Sequence, residues 1–217
     1  MITYFVKDQK NTTTLNALAI LQGGALPKDR KRALVSFDMG RKGITNVPMG
    51  WALSESIGAV GNGILTSSLA GCQALILIGG AIDNKVFKPE TISFTHIQGG
   101  TTDNVNWDHM LKAFKGAAVK YAIIESNRAE GTVDHIAEYL IEKKYVPTAN
   151  IFVYNQGVGE QGGRTFAINS NLDIGQYDEK VVTREKQTEA QKLTNKGAIA
   201  QNPGIQAGKV EAVKKPR

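Results

Sequence analysis

Cys72-Gln73-Ala74-Leu75-Ile76-Leu77-Ile78, closed by Gly79-Gly80, is the stretch from which the fold is read. The apolar run has strand length and a glycine stop, which predicts a buried strand. Asp83-Asn84 then marks a turn. Beyond it Thr91 to Ile97 alternates, with Ile92, Phe94 and His96 on one face, until Gly99-Gly100 stops it. The segment between the two runs is long enough for a hairpin-like return. The strands are therefore expected side by side, with Cys72 and His96 near one end of the sheet.

Working outward, Ile2 to Val6 reads as a short strand. Thr12 to Gln22 reads as a helix that starts on threonines and stops at Gly23-Gly24. Pro27 to Lys31 is a polar connector, and Arg32 to Asp38 alternates as a strand. Between Ser54 and Ala70 the residues Ile57, Val60, Ile64, Leu65 and Leu69 recur at roughly helical spacing, interrupted by glycines. Trp107 to Lys115 reads as a helix and Tyr121 to Glu125 as a strand. Thr132 to Lys144 carries an apolar stripe of Val133, Ile136, Ala137, Leu140 and Ile141, which predicts a helix. Ile151 to Tyr154 and Thr165 to Ile168 read as strands, joined through a glycine-rich loop from Gly157 to Gly163. Interleaved strands and helices predict an α+β fold, with a sandwich-like mixed β-sheet core flanked by helices.

The chain has 217 residues, 41% of them apolar, and a net charge of +6. Residues 1–177 are expected to form the folded domain. Residues 178–217 are expected to be a basic, flexible tail, because apolar residues thin out and Pro203, Gly204 and Gly208 oppose packing. From Gln176 onward there are nine Lys/Arg against five Asp/Glu. Mixed signs and a lack of aromatics after Tyr177 argue for a solvated tail rather than a nucleic-acid surface. No apolar stretch approaches the ~20 residues of a membrane helix. The N-terminus lacks the basic-then-apolar order of a secretory signal. A monomer is expected.

Cys72 is the single cysteine, so it cannot form an internal disulfide. A lone cysteine is usually a small buried hydrophobe, and a lone histidine on a strand is usually structural. The surroundings of Cys72 point elsewhere. Gly71 before it can take backbone angles that place a thiol on a tight turn, where N–H groups are exposed to bind an oxyanion. His96 can serve as the base that generates the thiolate. Thr66, six positions before Cys72, can fix the imidazole orientation. His109 and His135 are the other two histidines and fall on expected helices, so the choice of base stays open among the three. The loop from Gly157 to Gly163 lacks the lysine and hydroxyl of a phosphate-binding loop.

Thr66-Ser67-Ser68-Leu69-Ala70-Gly71-Cys72, followed by a strand and His96, resembles the thiol glutamine deamidases. These include the catalytic domain of cytotoxic necrotizing factor, the Burkholderia lethal factor and the chemoreceptor deamidase of bacteria. Toxin members carry Leu-Ser-Gly-Cys where this chain has Leu69-Ala70-Gly71-Cys72. A threonine six positions before the cysteine is shared with the lethal factor and the chemoreceptor enzyme. Gly99-Gly100-Thr101-Thr102, the Ala33–Gly40 stretch and the segment from Gly157 to Arg164 are similar to family patterns in the same order. Two departures are Ala70 in place of serine and a long separation of 24 positions between Cys72 and His96.

The resemblance implies deamidation of a glutamine on a target protein, with Cys72, His96 and Thr66 as the catalytic set and no cofactor or metal. It implies a toxin or effector working in a reducing cytosol, delivered to a host cell, on a GTPase or translation factor. The alternatives are a chemoreceptor deamidase and a non-catalytic binding module.

Overall fold

The computed structural model describes residues 2–6, 13–16, 44–61, 63–126, 134–155, 164–178 and 206–209. In chain order the strands are β1 (Thr3–Val6), β2 (Thr13–Asn16), β3 (Ile44–Asn46), β4 (Trp51–Ser56), β5 (Gly63–Thr66), β6 (Gln73–Asp83) and β7 (Val86–Ile97). They continue with β8 (Val119–Ser126), β9 (Ile151–Asn155), β10 (Arg164–Ile168), β11 (Asp173–Asp178) and β12 (Gln206–Lys209). Two α-helices are described, α1 (Trp107–Met110) and α2 (His135–Glu142). A 3-10 turn, Leu111–Phe114, continues α1.

The strands form two mixed sheets. One runs β1-β9-β8-β6-β7-β4-β12 and the other β2-β11-β10-β5-β3. In the first, β9 is parallel to both β1 and β8 and the other pairs are antiparallel. In the second, β3 and β5 are parallel. The fold is therefore α+β, a sandwich with helices on its outer side.

Period-2 alternation explains the layering. On β6, Ala74, Ile76 and Ile78 face one way, toward Phe166, Ile168, Ile64 and Ile174 of the second sheet. Leu75 and Leu77 face the other way, under Met110, Ala113, Ile136, Ala137 and Leu140 of the helical layer. Both faces of β6 are covered, which is why its sequence reads as a nearly unbroken apolar run.

The central hairpin forms as expected, but it is longer. β6 does not end at Gly79-Gly80. The register shifts there and the strand continues to Asp83, where Asn84 (φ 50°) and Lys85 (φ 67°) make a two-residue turn into β7. Gly79 serves close approach: a methyl on it would sit 1.9 Å from the Ala113 carbonyl oxygen.

Three expectations are corrected. Thr13–Asn16 is a strand paired with β11, not the start of a helix; its threonines favour extended backbone. The rest of that expected helix, to Gln22, lies outside the described residues. The region from Ser54 to Ala70 is not helical either. It holds the end of β4, a 3-10 turn at Ile57–Ala59, and β5. Its glycines disfavour a helix, and sheet pairing of β5 with β10 and β3 determines the outcome. In the C-terminal segment, Gln206–Lys209 pairs antiparallel with β4. Backbone groups alone make that ladder, so a low apolar content did not reveal it. The remainder of 179–217 lies outside the described residues. So do the expected connector at Pro27 to Lys31, the Arg32 to Asp38 strand with Gly40, and the loop from Gly157 to Gly163. The helix expected from Thr132 begins at His135, because Asp134 caps it by accepting from the N–H groups of Ile136 and Ala137.

Gly79→Ala should test the closeness of the layers. The obstructing atom is backbone, so the variant is expected to lose about 2–3 kcal/mol. Chemical unfolding measures it; an unchanged midpoint would contradict the packing.

Candidate active site

The register of the central hairpin places Ala74 opposite His96 and Gln73 opposite Ile97. Ala74 and His96 therefore share a face. Cys72 stands two residues before Ala74, and its side chain packs against the inter-sheet core. Thiol and imidazole thus lie on one face at one end of the sheet, diagonal across the small Ala74 side chain. His109 sits on α1 and His135 opens α2, in the layer over the opposite face. His135 is exposed and pairs with Glu138 at 3.2 Å. Of the three histidines, His96 alone shares the face of Cys72.

Thr66 meets His96 across the gap between the two sheets. Its hydroxyl has one proton to give. Thr66 Oγ1 donates to the Val47 carbonyl oxygen at 2.7 Å. The same oxygen lies 2.7 Å from His96 Nδ1, so in that contact it accepts. The ring proton is therefore on Nδ1, and Nε2 carries the lone pair. His96 is 1% exposed, and Nε2 has no hydrogen-bond partner. Burial pushes the imidazole down from 6.5 to about 4, so the ring is neutral at neutral pH.

The Val47–Gly50 segment is held between the sheets. Val47 N–H donates to the Leu65 carbonyl and Gly50 N–H to the His96 carbonyl, at 2.8 and 3.1 Å. Gly50 has φ +78°, a conformation suited to glycine. This clamp holds Met49 over the thiol, with its Sδ 3.9 Å from Cys72 Sγ. Met49 is 53% exposed although it is large and apolar. The described contact of the thiol is with this thioether. Rotation about χ1 of Cys72 is the only side-chain torsion that moves the sulfur toward another partner.

Gly71 differs from the expectation. It is not in the left-handed region; the residue with positive φ in this turn is Ser68, at 64°. Ala70 and Gly71 form a bend ahead of β6, outside the strand ladder. A methyl on Gly71 would meet nothing within 4 Å, so the space beside it is open.

Several site residues were not singled out from the sequence. Met49 and the Val47 carbonyl belong to a loop whose course depends on the sheet pairing. Gln73 carried a readable signal, a buried amide inside an apolar run. Among the described residues no group of three or more His, Cys, Asp or Glu converges as a metal site requires. No protein-family model matches the chain, and a search of curated proteins finds no match.

Two outcomes follow from the Thr66–His96 pair. In the unfolded chain the imidazole takes a proton near pH 6.5, while in the folded protein it resists until about 4. The unfolded state thus binds more protons between these values. Stability is unaffected by this group above pH 6.5 and falls as the pH drops toward 4, by at most about 3 kcal/mol. Unfolding of His96→Gln beside the wild type at pH 7, 5 and 4 should show the wild type losing ground with acid; a constant difference would contradict a burial-held neutral ring. Thr66→Val should leave the Nδ1 proton and the Val47 carbonyl unpaired and cost about 1–3 kcal/mol. Thr66→Ser should retain most of that stability, and equal losses in both would show that the hydroxyl is not what matters.

Proposed function

We propose that this protein is a protein-glutamine deamidase of the thiol type, with Cys72 as nucleophile, His96 as base and Thr66 as the group that orients the ring. The observation that carries the reading is His96 Nε2: a buried, unpartnered lone pair whose tautomer is set from behind, on the face shared with the single thiol. A structural histidine normally uses both ring nitrogens when buried.

The chemistry runs as follows. Nε2 takes the Cys72 proton as Sγ attacks the carboxamide carbon of a glutamine side chain. The tetrahedral oxyanion lies at the bend of Ala70-Gly71-Cys72, where a backbone N–H donor is worth on the order of 3 kcal/mol. The protonated Nε2 then gives its proton to the leaving nitrogen, and ammonia departs with the C–N pair. A thioester remains. Water attacks it with Nε2 as base, releasing glutamate and restoring the thiol. The substrate gains a negative charge and loses two N–H donors. In a GTPase, where a glutamine orients the attacking water, that change stops turnover. A toxin or effector acting on such a protein, or on a translation factor, is the reading the family resemblance supports.

A non-catalytic binding module is the second reading, and the Cys72–Met49 contact favours it, because the thiol there touches a thioether rather than a base. Mass spectrometry of candidate GTPases and translation factors incubated with the protein separates the two. A gain of about one dalton on one glutamine is expected, and Cys72→Ser should abolish it while leaving the fold intact. Equal modification by Cys72→Ser would remove the thiol from the mechanism, and no modification of any target would favour the binding module.

A further inference from the structure

We propose that Gln73 is a positioning residue, fixing where the Cys72 thiol stands relative to His96. The inference rests on the catalytic reading of that pair. Gln73 follows Cys72 directly, is fully buried, and points to the opposite face of the sheet. Its Nε2 donates to Asp134 Oδ2 at 2.6 Å and to Ser126 Oγ at 3.0 Å. Asp134 is itself fixed, because its Oδ1 accepts from Ile136 N–H at 2.8 Å and from Ala137 N–H at 3.2 Å as the cap of α2. A charge-assisted bond to an anchored carboxylate therefore pins the first residue of β6, the end of a strand that would otherwise fray most readily.

The same amide also locates the His96 arm. Gln73 pairs with Ile97, the neighbour of His96. Gly100, in the turn that ends β7, has φ +60°, and a methyl on it would lie 2.5 Å from Gln73 Oε1. One side chain at the start of the thiol strand is thus bonded to the α2 N-terminus and packed against the turn after the imidazole strand. Core stability does not call for it. The neighbours on this face are Leu75 and Leu77, and Gln73 Oε1 is buried without a hydrogen-bond partner. A buried amide with an unsatisfied oxygen is a net cost compared with an apolar residue.

A polarity swap tests this on the full chain without any substrate. The readout is the rate of Cys72 alkylation by iodoacetamide at neutral pH, with thermal unfolding as the control for folding. Asp134→Asn keeps a good helix cap but offers an N–H₂ where Gln73 needs an acceptor. Gln73→Glu sets two carboxylates against each other. Each single change is expected to slow alkylation roughly tenfold or more, as misplacement of a reacting group does. Combining them restores one donor and one acceptor with roles reversed, and the rate should return to within about threefold of the wild type. A purely structural role would let the pair restore stability while leaving reactivity unmoved throughout. Folded single variants that react at the wild-type rate would overturn the proposal. If Gln73→Glu does not fold, Gln73→Leu decides by the same alkylation rate, since no rotation of its side chain can pair with Asp134. A wild type that reacts no faster than His96→Ala would overturn the catalytic reading, and this inference with it; a fast wild type matched by the single variants overturns only the role of Gln73.

Discussion

The hydroxyl of Thr66 has a single proton, and the Val47 carbonyl takes it. Everything about His96 follows from that constraint. The hydroxyl oxygen must accept from the ring, so Nδ1 is the protonated nitrogen and Nε2 the basic one. Had Thr66 been free to donate to the ring, the opposite tautomer would have placed a proton where the lone pair now is. The Thr66–His96 contact also spans the two sheets, β5 on one side and β7 on the other. The tautomer is thus set by how the sandwich closes, not by local sequence around His96.

Sheet packing supplies the remaining geometry. The β6–β7 register puts Ala74 opposite His96, two residues along the chain from Cys72 and on the same face. Sheet ladders on both sides of β6 fix its backbone, through β7 and β8. Cys72, just before that strand, has a rigid platform beneath it and a non-ladder bend in front. Of the two, His96 is buried between the sheets while Cys72 stays partly exposed.

The hairpin was legible in the sequence because its apolar run, its Asp83-Asn84 turn and its alternation lie in one contiguous stretch, although the glycine stop at Gly79-Gly80 was not the end of β6. Cys72, His96 and Thr66 were singled out by their spacing and by the family resemblance, since as residue types each has an ordinary structural explanation. The pairing of Thr66 with Val47 was not legible, since it needs a carbonyl from a loop nineteen residues away. β2 and β5 were misread for a related reason. Thr13–Asn16 and Gly63–Thr66 have too few residues for periodicity to show, and their strand state comes from partners on β11 and β10. Met49 escaped notice because an exposed methionine means little until the clamp that places it is known.

Burial of the ring also bears on how the thiol is activated. An imidazole held down to about 4 resists a proton as long as it faces only apolar atoms and a neutral hydroxyl. A resting thiolate–imidazolium pair would need that cation to persist in the same surroundings, which desolvation opposes. Under the proposed mechanism, proton transfer to the ring becomes favourable as negative charge develops nearby, when sulfur attacks a carbonyl and the oxyanion forms. The ring is therefore neutral in the resting protein, and Met49 lies over the thiol on the same face. On the proposed deamidase reading, a glutamine side chain reaches the thiol only by displacing Met49, whose thioether lies 3.9 Å from Cys72 Sγ.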